Sequence, residues 1–139
     1  MRSSYLAYLK NGISEGEYFL PFKTAYRYLA LLQSRAIGKA LTGPLHGTII
    51  VTYACNLRCG MCDLPFRPAQ YLKEGKKPLT TEEMEQLIDD FAYIGTTGVG
   101  FTGGEPWLRK DMLHLIKYAK SKGLVTHMSS NGWYMTKEN

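Results

Sequence analysis

The feature that most constrains this chain is an alternation of β-branched runs and capped amphipathic helices between residues 48 and 130. Thr48-Ile49-Ile50-Val51-Thr52-Tyr53 is predicted to be a strand covered on both faces. Thr80 and Glu83 form a capping-box pattern, with Leu79 and Met84 placed as a hydrophobic staple. Met84, Leu87, Ile88, Phe91 and Ile94 follow as one apolar stripe, and Gly95 suits the helix end. Val99-Gly100-Phe101-Thr102 is a second strand, ended by the turn Gly103-Gly104-Glu105-Pro106. Asp111 opens a helix with Met112, Leu115, Ile116 and Ala119 inward and Gly123 as its stop. Val125 to Ser130 is a third strand, turned by Asn131-Gly132. Strand, helix, strand, helix, strand specifies an α/β fold with a parallel sheet and right-handed crossovers. Ligands in such folds sit at the C-terminal ends of the strands. Cys55–Cys62, Gly103–Pro106 and Ser129–Gly132 each follow a strand, so they are expected on one rim.

Upstream, a helical period runs from about residue 22 to 41, with Phe22, Tyr26, Leu29, Leu32, Ala36, Ile37 and Ala40 on one side. Gly43-Pro44 is expected to stop it. Before it, Tyr5, Leu6, Tyr8 and Leu9 suggest a short helix ending at Asn11-Gly12. Residues 1–46 hold Arg2, Lys10, Lys23, Arg27, Arg35 and Lys39 against Glu15 and Glu17, most of the chain's net charge of +5. The helix is expected to dock against the bottom or edge of the parallel layer with Phe22, Leu29, Ala36 and Ile37 inward, its basic residues forming a solvated face. Adsorption to an anionic membrane is the alternative, and no nucleic acid is expected as a partner. Residues 63–79, with Pro65, Pro68, Pro78 and the basic Lys73–Lys77 stretch, read as a long exposed loop.

With 139 residues, the chain has room for one domain. An apolar share of 45% with 21% charged residues excludes a disordered or collagen-like chain. Tyr28–Leu32, the longest clean apolar run, is too short to span a bilayer. The residues after Met1 show no secretory pattern, so the expected compartment is the cytoplasm.

Three cysteines fall within eight positions, as Cys55-x-x-x-Cys59-x-x-Cys62. An odd, clustered set argues against a disulfide framework and for a metal or cluster site. Three soft ligands suit an iron–sulfur cluster or zinc. A structural zinc wants a fourth ligand. There is no fourth cysteine, and His46, His114 and His127 all lie outside the loop. A cubane on three cysteines would keep one iron open, whereas zinc, another metal, or cysteines without a ligand are the alternatives.

Cys55-Asn56-Leu57-Arg58-Cys59-Gly60-Met61-Cys62 after a strand resembles the signature of the radical S-adenosylmethionine (SAM) enzymes. Gly103-Gly104-Glu105-Pro106 matches that family's GGEP motif, and Ser129-Ser130-Asn131-Gly132 is similar to the end of its third strand. The resemblance covers about residues 47–139. It implies a [4Fe-4S] cluster on Cys55, Cys59 and Cys62, with SAM chelating the fourth iron. Gly103, Gly104 and Glu105 would line the methionine amino group, and Met61 would lie against the adenine. Ser129, Ser130 or Asn131 would assist the methionine carboxylate or the ribose. The implied reaction is reductive cleavage of SAM to a 5′-deoxyadenosyl radical that takes hydrogen from a substrate. It needs a one-electron donor such as flavodoxin or ferredoxin.

The expected organisation is a basic helical extension over 1–46 and a truncated radical SAM core over 47–139. That core would supply about three βα units of a partial parallel (β/α)6 barrel. A partner chain or a further C-terminal region would complete it. A metal-binding module or a catalytically silent fragment is the alternative to the enzyme.

Overall fold

The structure, a computed structural model, describes residues 20–64 and 77–136. The expectations for Tyr5–Asn11, for Pro65, Pro68 and residues 73–76, and for 137–139 lie outside the described residues.

Helix α1 (Leu20–Ile37) leads to β1 (His46–Thr52), α2 (Thr81–Tyr93), β2 (Gly98–Gly103), α3 (Met112–Ser121) and β3 (Val125–Met128). The sheet is parallel in the order β1-β2-β3. Gly47, Val99 and Thr126 stand in one register row, and Ile49, Phe101 and Met128 in another. Ile49, Val51, Val99 and Phe101 form one core with Met84 and Ile88 of α2 and Met112, Leu115 and Ala119 of α3. Both crossover helices therefore cover the same face of the sheet.

That arrangement corrects the reading of β1 as covered on both faces. Gly47, Ile49 and Val51 are buried, whereas His46, Thr48 and Ile50 are exposed. Two right-handed crossovers made in the same direction put their helices on one side and leave the other uncovered. On the uncovered face His46 and His127 stack with ring centroids 4.7 Å apart. They lie over Gly100, where a Cβ would come 2.5 Å from His127 Nε2. Partial burial, then the charge of His127, lower the His46 pKa below its ordinary value.

The local signals of α2 are realised. The Glu83 amide donates to Thr80 Oγ1 at 3.2 Å, and the Thr80 amide donates to Glu83 Oε2 at 2.7 Å. At the other end the Gly95 amide donates to Ala92 O and the Thr96 amide to Phe91 O, a Schellman pair, with Gly95 at φ +84°. Asp111 stands at the N-cap position of α3 but its side chain makes no capping bond. Its carboxylate is held instead by Arg109 at 2.6 Å and by the Thr81 hydroxyl at 2.7 Å. Arg109 also donates to Leu79 O at 2.9 Å and Val51 O at 3.3 Å, so one guanidinium joins the end of β1 to the starts of α2 and α3.

Helix α1 departs twice from expectation. It ends before Gly38, which takes φ +70°, and not at Gly43-Pro44. Its expected inward face is outward: Phe22, Leu29 and Ile37 are 74%, 59% and 56% exposed, and Ala36 is exposed as well. The side turned to the domain carries Thr24, Arg27, Leu31 and Ser34. Arg27 decides this docking, since Nη1 donates to Thr42 Oγ1 at 2.6 Å and to Ile94 O at 3.4 Å. A cation beside the last carbonyls of α2 is favoured by that helix's dipole.

Candidate cluster and nucleoside rim

The site is built where the three strands end. The register between β1 and β2 shifts between Ile50 and Thr52, so the last residues of β1 swing toward the turn after β2. The Gly104 amide donates to Thr52 O and the Glu105 amide to Ala54 O, both at 2.8 Å. The base of the cysteine loop is thus bonded to the Gly-Gly-Glu turn.

This contact explains both glycines. Gly103 takes φ +136°, and a Cβ there would overlap the Thr52 carbonyl oxygen. A Cβ at Gly104 would overlap the Ala54 carbonyl oxygen and come 2.9 Å from Tyr53 O. The close approach that glycine permits here is between two strand ends, quite apart from any ligand.

Glu105 has no exposed surface. It caps the 3-10 turn Pro106–Leu108, with Oε1 accepting from the Trp107 amide at 3.1 Å and from the Ser130 hydroxyl at 2.9 Å. Its Oε2 accepts from the Asn131 amide at 2.8 Å. A buried carboxylate needs such donors to offset its lost hydration. Its side chain therefore fixes the turn after β3 to the turn after β2, and the half-buried Gly103–Gly104 backbone is what the motif shows to solvent.

Ser130 is engaged on both sides, because its Oγ also accepts from the Gly132 amide at 3.0 Å. Asn131 completes the ring of loops: Nδ2 donates to Asn56 Oδ1 at 2.9 Å and lies 4.0 Å from Cys55 Sγ. The Leu57 amide points to Cys55 Sγ at 3.4 Å. Ser129 is exposed.

The three thiols are free, Cys59 exposed and Cys55 and Cys62 half-buried. A turn bond from the Cys62 amide to Cys59 O, 3.0 Å, closes the loop. Among the described residues no three His, Cys, Asp or Glu side chains converge on a point that could hold one metal ion. A cubane takes one thiolate on each of three separate irons, whereas tetrahedral zinc needs its donors around one point. Free thiols on an open rim, with amide donors beside Cys55, suit the former donor set. Met61 is 98% exposed and takes no part in the core.

Contacts join Cys55, Gly104, Glu105, Ser130 and Asn131 of the expected residues and add Asn56; neither Asn56 nor Arg109 was singled out by the sequence. Asn56 carried no signal of its own. The Arg109-Lys110-Asp111 spacing just after the GGEP turn was the available hint of Arg109.

A model of the radical SAM superfamily matches residues 49–139. The PqqA peptide cyclase of Bradyrhizobium diazoefficiens is 33% identical over 108 residues, 78% of this chain and 27% of the relative. The Fe-coproporphyrin III synthase of Methanosarcina barkeri is 39% identical over 88 residues, 63% of this chain and 21% of that protein. Streptococcus suis SuiB bound to the precursor peptide SuiA shares the fold, with a TM-score of 0.58 at 18% identity over 94% of this chain and 33% of SuiB. SuiB bound to S-adenosylmethionine gives 0.56 at 22% identity over 84% of this chain and 25% of SuiB. The shared fold makes the three-stranded sheet an arc of a parallel (β/α) barrel. The chain spans about a quarter of the length of the first of these curated relatives.

Proposed function

The chain belongs to the radical SAM superfamily, and from that premise we propose that Cys55, Cys59 and Cys62 hold a [4Fe-4S] cluster beside which S-adenosylmethionine binds. When bound, the cluster supplies the single electron that splits SAM into methionine and a 5′-deoxyadenosyl radical.

The observation that carries this reading is the mutual attachment of the three post-strand loops through Ala54 O, the Glu105 carboxylate and the Asn131–Asn56 pair. That network presents the thiols and the glycine turn together. The Gly103–Gly104 backbone would line the methionine amino group, and Met61 would lie against the adenine. Glu105 and Ser130 act as positioning residues, since their polar atoms are already engaged.

A peptide is the substrate class in this proposal. The naming of PqqA peptide cyclase and the SuiA-bound SuiB structure support it. A one-electron donor of the flavodoxin or ferredoxin type supplies the reductant.

Anaerobic reconstitution of the chain tests the reading. About four irons per chain are expected, with a sulfide-to-iron charge-transfer band. Cys59→Ala should remove that band without unfolding the protein, because Cys59 is exposed. Stoichiometric zinc with no iron–sulfide chromophore would overturn the assignment.

A further inference from the structure

The contacts of Asn131 fix which way its side chain faces. The Trp133 amide donates to Asn131 Oδ1 at 2.9 Å, and a backbone N–H can meet only the oxygen of a side-chain amide, not its nitrogen. Nδ2 therefore lies on the side of the cysteine loop. It donates to Asn56 Oδ1 at 2.9 Å and stands 4.0 Å from Cys55 Sγ. An amide nitrogen carries two hydrogens, so Asn56 takes one and leaves the other for the sulfur. The main chain is held as well, with the Asn131 amide donating to the buried Glu105 carboxylate at 2.8 Å. Anchored at these points, the residue keeps a donor beside one particular cysteine.

Cys55 differs from the other two cysteines in this respect. The Leu57 amide points to the same sulfur at 3.4 Å. Among the described residues these are the two N–H groups directed at a cysteine sulfur, and both serve Cys55. Hydrogen bonds to ligating sulfurs help set the reduction potential of an iron–sulfur cluster. A donor stabilises the form that carries more negative charge, which is the reduced one. The Leu57 donor belongs to the main chain, whereas the Asn131 donor is a property of the side chain.

We propose that Asn131 acts on electron entry as a positioning residue: with Nδ2 at the Cys55 sulfur it raises the potential of the cluster and eases its one-electron reduction. The inference rests on the reading of Cys55, Cys59 and Cys62 as the cluster's ligands. It gives Asn131 a task at the cluster, where the family resemblance implied one at the methionine carboxylate or the ribose. Asn56 is the acceptor that holds Nδ2 near that sulfur.

A redox titration of the anaerobically reconstituted full chain tests it, without SAM, with dithionite as reductant and the reduced cluster read by electron paramagnetic resonance. At the solution potential where the wild type is half reduced, the oxidised-to-reduced ratio should rise about fivefold in Asn131→Ala, at unchanged iron content. Asn131→Asp should be harder still to reduce, because it sets a negative oxygen where the donor was. A purely structural role predicts the opposite order, since an Asp side chain still accepts from the Trp133 amide and an Ala side chain does not. A wild-type potential in Asn131→Ala would overturn the inference, and so would Asn131→Asp titrating at or above Asn131→Ala. A wild-type chain that forms no iron–sulfide chromophore would instead overturn the cluster assignment on which the inference rests.

Discussion

Glu105 is the residue on which the rim depends. Replacing it with Ala would leave the Ser130 hydroxyl and the Trp107 and Asn131 amides without their acceptor in a buried setting. A loss of about 3 kcal/mol in urea unfolding is expected, together with weaker SAM binding. Gly104 makes a sharper case. A Val there would push on the Ala54 carbonyl, one residue before Cys55, so iron loading and SAM binding should fall together. Nothing in the sequence alone shows that the strand ends touch. Asp111 gives a pH signature. The Arg109 guanidinium holds its carboxyl at about pKa 2 against partial desolvation, with help from the Thr81 hydroxyl. A carboxylate lowered in the folded state stabilises above its unfolded pKa of about 4, and that contribution is lost as pH falls toward 2. The stability difference between wild type and Asp111→Asn should therefore be about 1 kcal/mol at pH 6 and shrink toward zero near pH 2.

Among the elements, α2 was legible because its signals are local. Thr80, Glu83 and Gly95 do in the structure what their positions require within one turn of chain. Helix α1 shows the opposite case. Its apolar stripe was legible, but periodicity does not say which side meets the protein. Arg27, reaching 67 positions along the chain to Ile94, settles that. The one-sided burial of β1 was hidden for a related reason, since a run such as Ile49-Ile50-Val51 reads as buried whether one face or both are covered. Two of the left-handed glycines at helix ends separate local strain from contact. Gly38→Ala meets nothing within 4 Å and should cost about 1 kcal/mol from its positive φ alone. Gly95→Ala would also collide with the Arg27 guanidinium, so it should cost more and loosen α1. Chemical denaturation of the two variants, with amide exchange over α1, checks that order.

At the scale of the whole molecule, helices cover one face of a parallel arc, and its other face carries exposed Ile50 and the stacked His46–His127 pair. The cysteine spacing, the glycine turn and the Ser-Asn-Gly end were legible as motifs, and topology alone placed them on one rim. Their bonding to one another was not legible, because Ala54 meets Glu105 across 51 positions and Asn56 meets Asn131 across 75. The chemistry proposed for this rim would require cluster and SAM in direct contact. Low-temperature electron paramagnetic resonance of the reconstituted, dithionite-reduced chain measures that contact. The account predicts a [4Fe-4S]⁺ signal whose g values shift when SAM is added, with the shift lost in Glu105→Ala. A cluster signal identical with and without saturating SAM would contradict it.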